Sequence, residues 1–318
     1  MFPTAAGVPQ ELGYSRRRFA SGGTGLALAV LSRAWASTAT RLILLGTAGG
    51  PRPRKSRAAP AQVILIGDAA YVVDCGNGVA FQLVRAGVPL PAIRQIFITH
   101  NHSDHNADYG NLLLLAWESG LKNPVNIWGP PPLARMTRLF LEMDAYDIQT
   151  RILDEGRPPL APLIHVHEIT RGGLVTKDQN VTVTAALVEH PPIRPAFAYR
   201  FDAPDRSIVI SGDTKRCDAL IRLARGADVL VHEAMYPAAI SRLVAPLPNS
   251  AALEKSILSH HTSVEDVGRV AHEAGVATLV LSHFVPAEDD RVTDQMWIDA
   301  ARANYKGRII LGRDLMEI

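Results

Sequence analysis

The stretch THNHSDH (99–105) places four potential metal ligands within six positions, directly after an apolar run. His100 and His102 are two residues apart, so their side chains point the same way where the chain is extended. Asp104 and His105 then fall on the turn into the next helix, where they face a second ion. Because imidazole nitrogens and carboxylate oxygens suit zinc and neighbouring divalent metals, this spacing predicts a metal site.

Short apolar runs, each ended by glycine or polar residues, predict a fold rich in strands. The predicted strands are RLILLG (41–46), AQVILIG (61–67), YVVDCG (71–76), QIFITH (95–100), VTVTAALVEH (181–190), AFAYRF (196–201), SIVISGD (207–213), ADVLVHE (227–233), ATLVLSH (277–283) and RIILG (308–312). Helical periodicity is found around residues 78–87, 109–120, 132–153, 216–225, 263–274 and 293–304. The strands first come in clusters and later alternate with helices, which predicts two sheets packed face to face with helices outside them.

Polar residues follow several of these runs at the point where each run ends. His100, Asp213, His232 and His283 all lie at or just past the carboxyl end of a predicted strand. Polar groups at the ends of buried strands tend to line one rim of a sheet. A site at such a rim has a rigid backbone and is open to a substrate. The pattern therefore indicates a site at such a rim.

The H-x-H-x-D-H run after an apolar strand resembles the signature of the metallo-β-lactamase superfamily. The similarity extends along most of the chain, from LGTAGGP (45–51) to LSHF (281–284). The resemblance implies an α/β fold, the four-layer αββα sandwich of that superfamily, as a single domain over residues 37–318. It also implies a centre that binds two Zn²⁺ or other divalent ions such as Mn²⁺.

Three further residues match the positions that complete the two metal sites of that superfamily. The implied ligands are His100, His102 and His190 for one ion and Asp104, His105 and His283 for the other, with Asp213 as the bridge. Two ions about 3.5–4 Å apart need a bridging carboxylate and a bridging hydroxide to offset their repulsion. Since ligation by two metals lowers the pKa of water, that hydroxide is the expected nucleophile.

Two loops narrow the resemblance to the ribonuclease Z branch. VLVHEAMY (229–236) resembles the H-E-A-T loop of that family, and HTS (261–263) resembles its H-S-T loop. The resemblance to that family implies that His261 is the proton donor beside the leaving group and that Glu233 is its partner. A protonated imidazole in this position suits the chemistry of a general acid. These two residues and Asp104 are the expected catalytic residues. The alternative is that the hydroxyl residues of HTS cap the next helix and that the histidine is incidental.

The first 36 residues resemble a twin-arginine export signal of bacteria. They contain SRRRFA (15–20), the apolar stretch GGTGLALAVL (22–31), and a small-x-small cleavage site, AWA (34–36). The apolar stretch is too short to span a bilayer as a permanent helix, so we expect a periplasmic enzyme without stable membrane insertion. Removal of residues 1–36 takes the net charge from +2 to −1, because four arginines and one glutamate are lost. A basic tail in front of a buried helix is the alternative.

The substrate expected from the sequence is a small molecule with an ester-type bond, either an arylsulfate or a phosphodiester. The leader, LGTAGGP and YVVDCGNG (71–78) together resemble exported arylsulfatase-like relatives of ribonuclease Z. Residues 151–180, where ribonuclease Z carries its tRNA-gripping arm, form a short stretch with few basic residues. The near-neutral exported chain also lacks a basic excess. We therefore expect no nucleic-acid partner. The resemblance also suggests a homodimer.

Other activities fit the same ligands. A lactone, an organophosphate or an organic halide are alternative substrates, since pocket shape and not metal ligation sets that choice. Asp213 argues against a β-lactamase, because true β-lactamases of this fold usually lack the bridging aspartate, and a lactonase leaves Glu233 and His261 unexplained. A non-enzymatic metal-binding protein of the cell envelope needs the ligands but neither of those two residues. Mutation of His261 separates a binder from a hydrolase.

Overall fold

The structure, a computed structural model, describes residues 39–318, and the expected leader at residues 1–36 lies outside them. The strands of the described part are β1 (Arg41–Gly46), β2 (Ala61–Ile66), β3 (Ala69–Val73), β4 (Ile93–Phe97), β5 (Val125–Gly129), β6 (Ile164–Glu168), β7 (Gly173–Lys177), β8 (Thr182–Leu187), β9 (Phe197–Asp202), β10 (Ser207–Ile210), β11 (Val229–Met235), β12 (Thr278–Val285), β13 (Arg308–Leu311) and β14 (Met316–Glu317). Its α-helices are α1 (Val79–Arg85), α2 (Ser103–Asn106), α3 (Tyr109–Glu118), α4 (Leu133–Met143), α5 (Ala145–Glu155), α6 (Asp218–Ala224), α7 (Pro237–Val244), α8 (Ser250–His260), α9 (Val264–Ala274) and α10 (Asp294–Arg302). Among these described helices, none is both long and apolar enough to cross a membrane.

The strands form two mixed sheets of seven strands each. One has the order β14-β1-β2-β3-β4-β5-β6 and the other the order β13-β12-β11-β10-β9-β8-β7. Strands β3 to β6 pair in parallel in the first sheet, and β10 to β13 pair in parallel in the second. Parallel neighbours end at the same edge, so each sheet has an edge at which several carboxyl ends meet.

The apolar residues of β1 show how the layers stack. Leu42 and Leu44 belong to a core cluster that contains residues of both sheets, whereas Ile43 and Leu45 belong to a cluster that includes residues of α1 and α3. A third cluster joins the second sheet to α6, α9 and α10. A strand that is buried on both faces has a nearly continuous apolar sequence, and RLILLG of β1 is such a sequence. The expected four-layer αββα sandwich is confirmed.

The carboxyl ends of the parallel strands carry the polar residues of the site. Asp213 follows β10, Glu233 lies on β11, and His283 lies on β12. In the parallel register Glu233 is paired with Ser282, directly before His283. The segment that carries His100 follows β4 of the other sheet. Both sheets therefore contribute to one rim.

Several predicted elements differ from the observed ones. The helical periodicity at 132–153 belongs to two helices, α4 and α5, because Asp144 (φ −95°, ψ 11°) leaves helical geometry between them. Strands β5, β7 and β14 and helices α2, α7 and α8 were not predicted. Strand β7 is exposed over most of its length, so it lacks the apolar pattern from which a strand is recognised.

Candidate metal centre

The segment after β4 is held in place by a buried aspartate. The backbone N–H of Thr99 donates to Oδ1 of Asp74 at 2.8 Å, and the Thr99 hydroxyl also bonds that carboxylate. His102, just before α2, has extended backbone geometry (φ −77°, ψ 147°). The extended chain brings Nε2 of His100 to 3.0 Å from Nδ1 of His102.

A first cluster contains three imidazoles and one carboxylate. Besides its contact with His100, Nδ1 of His102 lies 3.1 Å from Nε2 of His190, which follows β8. Oδ2 of Asp213 lies 3.8 Å from Nε2 of His100 and 3.9 Å from Nε2 of His190. Tetrahedral zinc with Zn–N bonds of ~2.0–2.1 Å places its ligand atoms ~3.3–3.4 Å apart. The four atoms are therefore spaced to fit one such ion.

A second cluster contains two imidazoles and two carboxylates, all buried. The Nε2 atoms of His105 and His283 are 3.2 Å apart. Oδ1 of Asp213 lies 3.2 Å from each of these nitrogens. Oδ2 of Asp104 lies 3.6 Å from Nε2 of His105 and 3.5 Å from Nε2 of His283. The spacing again suits one divalent ion.

Asp213 belongs to both clusters, with one oxygen towards each. Its Oδ2 atom approaches the first cluster and its Oδ1 atom the second. Oδ1 is buried and has no hydrogen-bond partner within the described residues. A buried acceptor without a partner costs free energy, and a cation at this position supplies the missing interaction. The donor set thus fits two cations that share one carboxylate.

Hydrogen bonds on the outer ring nitrogens point the remaining nitrogens at the clusters. Nδ1 of His190 donates to the backbone carbonyl of His260 at 3.0 Å. A carbonyl oxygen only accepts, so Nδ1 carries the proton and the Nε2 lone pair faces the first cluster. Nδ1 of His105 is likewise bonded to Oδ2 of Asp74 at 2.8 Å. Such outer bonds are typical of histidines that ligate metals.

The electrostatics of the two clusters differ. Burial lowers the pKa of His100 well below its ordinary value and lowers the pKa of His190 to about 4. These rings are therefore neutral, which is the form that binds metal. Burial also opposes a charge on His105, but nearby carboxylates, Asp213 foremost, outweigh burial and raise the pKa of that imidazole well above its ordinary value. The second cluster therefore attracts positive charge.

A glycine loop after β1 closes over the second cluster. The backbone N–H of Gly50 donates to Oδ2 of Asp104 at 3.0 Å. Gly50 has φ +84°, a conformation that glycine adopts without strain. At Gly49 a Cβ atom would lie 2.8 Å from the backbone carbonyl oxygen of Phe284 and 2.6 Å from Cγ2 of Val285, so glycine is needed for this close approach.

His261 and Glu233 form an ion pair beside Asp213. Nδ1 of His261, at the end of α8, lies 2.9 Å from Oε2 of Glu233, whose Oε1 accepts the backbone N–H of Thr214 at 2.8 Å. Nδ1 of His261 is also 4.0 Å from Oδ2 of Asp213. Burial opposes a charge on His261, but the Glu233 carboxylate outweighs it and raises the pKa of His261 to about 9. The imidazole is therefore held in its protonated form.

Glu233, His261 and His283 also lie close enough together to form a third possible metal group. This arrangement makes His261 an alternative ligand. Ser263 caps α9 by accepting the backbone N–H of Asp266 at 3.2 Å. The cap and the His261 ion pair occur together, so the two explanations of the HTS motif are compatible.

All nine residues expected at the site converge at this rim. They are His100, His102, Asp104, His105, His190, Asp213, Glu233, His261 and His283. His232, which the strand-end pattern also singled out, is buried and bonds the Glu233 carbonyl through Nδ1 at 2.7 Å, away from both clusters. Sequence reasoning missed the roles of Asp74 and Gly50. Asp74 follows the apolar strand β3, the same signal that marked the other strand ends.

A cavity of about 620 Å³ opens onto the two clusters. His102, Asp104, Asp213 and His261 are among its lining residues. One wall is aliphatic and comes mainly from α7, α8 and the segment between them. Its residues are Leu243, Leu247, Leu253, Ile257 and Val285. The cavity is large enough to take an organic group next to the candidate metal centre.

Comparison with known proteins agrees with this geometry. The family model described as "Beta-lactamase superfamily domain" matches residues 70–284. The chain belongs to the metallo-β-lactamase superfamily. Ribonuclease Z of Mycobacterium bovis (strain BCG / Pasteur 1173P2) is 35% identical over 280 residues, which is 87% of this chain and 97% of that protein. Ribonuclease Z of Mycobacterium tuberculosis (strain ATCC 25618 / H37Rv) is 34% identical over 280 residues, which is again 87% of this chain and 97% of that protein.

Two solved structures share the fold. The metallo-β-lactamase fold protein YhfI from Bacillus subtilis has a TM-score of 0.64 and 21% identity, covering 88% of this chain and 98% of its own. The short form of human tRNase Z has a TM-score of 0.63 and 23% identity, and the match covers 87% of this chain and 98% of the human protein. With its buried histidine and aspartate clusters, the chain is a metal-dependent hydrolase of the metallo-β-lactamase superfamily.

The prediction of a small-molecule substrate and no nucleic-acid partner is wrong in excluding nucleic acid. It relied on the near-neutral net charge and on the few basic residues in 151–180, whereas the relatives at 35% identity are ribonuclease Z. Net charge averages over the whole surface, so it does not report the local charge at a cavity. Residues 151–180 contain the end of α5 and the strands β6 and β7 of the sandwich.

Proposed function

We propose that this chain hydrolyses phosphodiester bonds in RNA. The observation that carries the proposal is Asp213, whose two oxygens face two separate histidine clusters beside the His261–Glu233 pair. The proposed ligands and bridge are the seven residues expected from the sequence. The relatives named ribonuclease Z support RNA as the substrate.

Two divalent cations at these clusters would act as Lewis acids and supply a nucleophile from water near neutral pH. The chain's own residues orient the ligands and handle the proton. Asp74 fixes the ring of His105, and the His260 carbonyl fixes the ring of His190. The aliphatic wall gives part of the cavity an apolar lining, and electrostatic interactions are stronger where such a lining excludes water.

Hydrolysis adds water across the P–O bond, so the departing oxygen must gain a proton. His261 lines the cavity, and the carboxylate of Glu233 keeps its imidazole protonated. We assign proton donation to His261, with Glu233 as the residue that positions and charges it. Thr214 in turn holds Glu233 through its backbone N–H.

An arylsulfate is the second candidate substrate. The aliphatic wall formed by Leu243, Leu253 and Ile257 favours it, because an aromatic leaving group packs well against such side chains. Both candidates use the same ligands and the same proton donor. They differ in the charge and shape of the group next to the scissile bond.

The test is a substrate panel with purified, zinc-loaded protein. Bis(4-nitrophenyl) phosphate, an RNA oligonucleotide, 4-nitrophenyl sulfate and a lactone are compared, with Asp213→Ala protein prepared in parallel as the control. We expect turnover of both phosphodiesters by the wild type and loss in the variant. Turnover of the sulfate alone would establish the second candidate. Equal activity of wild type and variant on the phosphodiesters would overturn the proposed site.

A further inference from the structure

Two arginines at the cavity have no role in the proposed mechanism. Arg52 and Arg54 follow the glycine loop whose Gly50 N–H donates to Asp104. Both arginines line the cavity that also contains Asp104 and His261. They therefore lie on the segment that adjoins the second cluster, facing the space in which a substrate would bind.

Neither guanidinium is in direct contact with a carboxylate of the described residues. Within residues 39–318, Arg52 and Arg54 form no ion pair and no side-chain hydrogen bond. The Nε atom of Arg54 is buried without an acceptor. Glu288 attracts Arg54 electrostatically without a hydrogen bond to its guanidinium, and Oε1 of Glu288 accepts both the amide and the hydroxyl of Ser56, each at 2.7 Å. Burial lowers the pKa of Arg54, and the charge of Arg52 lowers it further.

Arg52 is exposed, but the buried Nε–H of Arg54 has no acceptor and the two like charges repel each other. An anion between the two guanidinium groups would remove both costs. The carboxylates that line this cavity are Asp104 and Asp213, and both face the clusters. An arginine fork binds two phosphate oxygens at once, which makes phosphate a better match than a single-point anion. The space between the arginines and the aliphatic wall of the cavity can take the sugar and base that separate one phosphate from the next.

We propose that Arg52 and Arg54 form a subsite for a second phosphate of the RNA chain, adjacent to the scissile one. The proposal rests on the proposed phosphodiesterase function, since it assigns the scissile phosphate to the metal clusters. It makes the two arginines determinants of specificity for a polyanionic chain over a single phosphodiester.

The test is equilibrium binding by zinc-loaded protein of a fluorescein-labelled single-stranded RNA hexamer whose 2′-O-methyl, phosphorothioate backbone resists cleavage. Fluorescence anisotropy gives Kd at several salt concentrations for wild type and Arg52→Ala/Arg54→Ala. Lys55→Ala is the matched control, because Lys55 is an exposed cation of the same segment that does not line the cavity. Turnover of bis(4-nitrophenyl) phosphate is measured separately and reports on the proposed function.

We expect Kd of the double variant to rise about 10- to 100-fold at low salt, because two charge-assisted contacts with the RNA are lost. The slope of log Kd against log salt becomes shallower by roughly 0.7 for each lost phosphate contact. A Kd within twofold of wild type, or an equal loss in Lys55→Ala, would overturn the subsite. Weakened RNA binding by the double variant, together with no phosphodiester turnover by wild type, would support the subsite and refute the proposed function.

Discussion

Oδ2 of Asp74 lies 2.8 Å from Nδ1 of His105, so a carboxylate outside the ligand set fixes one of the proposed ligands. The same carboxylate accepts the backbone N–H of Thr99, the residue before His100. Asp74 itself sits at φ +60° directly after β3. One buried aspartate thus holds both ends of the segment that carries four of the seven proposed ligands.

We expect Asp74→Ala to weaken binding of the second ion about 10- to 100-fold, the usual effect of removing an outer partner of a ligating histidine. Titration with a chromophoric chelator measures the affinity of each ion. Asp74→Asn retains the shape of the side chain and separates loss of charge from loss of packing. Asp68→Asn, in the exposed turn between β2 and β3, is the control. Unchanged affinity in Asp74→Ala would show that His105 is oriented by other contacts or is not a ligand.

The shared position of Asp213 leads to a prediction on metal content. Wild-type protein prepared without chelator should contain about two zinc-type ions per chain, because each cluster provides ligands for one. Asp213→Ala removes a charge that both clusters use, so at least one ion and the activity should be lost. Elemental analysis provides the measurement. A variant that keeps both ions with normal turnover would place the bridge elsewhere.

The local part of this site was predictable from the sequence, because His100, His102, Asp104 and His105 lie in one short segment. Asp213 and His283 were also predictable, because each follows the end of an apolar run and such an end marks the end of a strand. The pairing of ligands into two clusters came from resemblance to a family. Spacing along the chain does not report which strand ends meet in space.

Other features depend on tertiary contacts that leave no local pattern. The Gly50 N–H bonds Asp104 across 54 positions of the chain, and Glu233 bonds His261 across 28. Helix α7 has only eight residues, too few for its periodicity to stand out, yet its Leu243 lines the cavity. The buried Nε atom of Arg54, which has no acceptor, is likewise recognised only when its surroundings are known.

The export expected from the sequence can be tested through the arginine pair of the leader. The leader expected at residues 1–36 carries Arg16 and Arg17, which the twin-arginine machinery reads. Changing both to lysine keeps the charge, and we expect the protein to stay in the cytoplasm unprocessed. Cell fractionation and N-terminal sequencing provide the measurement, with Arg33→Lys as the control. Unaltered processing after Ala36 would mean that the leader uses another route or is not a leader.

The role of His261 separates metal binding from proton transfer. The two clusters have a full set of ligand atoms without it, and its Nδ1 is engaged by Glu233. We therefore expect His261→Ala to retain both ions and to lose about 10²–10⁴ in kcat on an RNA linkage, whose alkoxide leaving group needs a proton. On bis(4-nitrophenyl) phosphate the loss should be less than about tenfold, because nitrophenolate leaves without protonation. His272→Ala is the matched control, since that histidine is exposed on α9, does not line the cavity and should retain activity on both substrates. Equal losses of His261→Ala on the two substrates would indicate substrate positioning, whereas loss of metal would make His261 a ligand through the group it forms with Glu233 and His283.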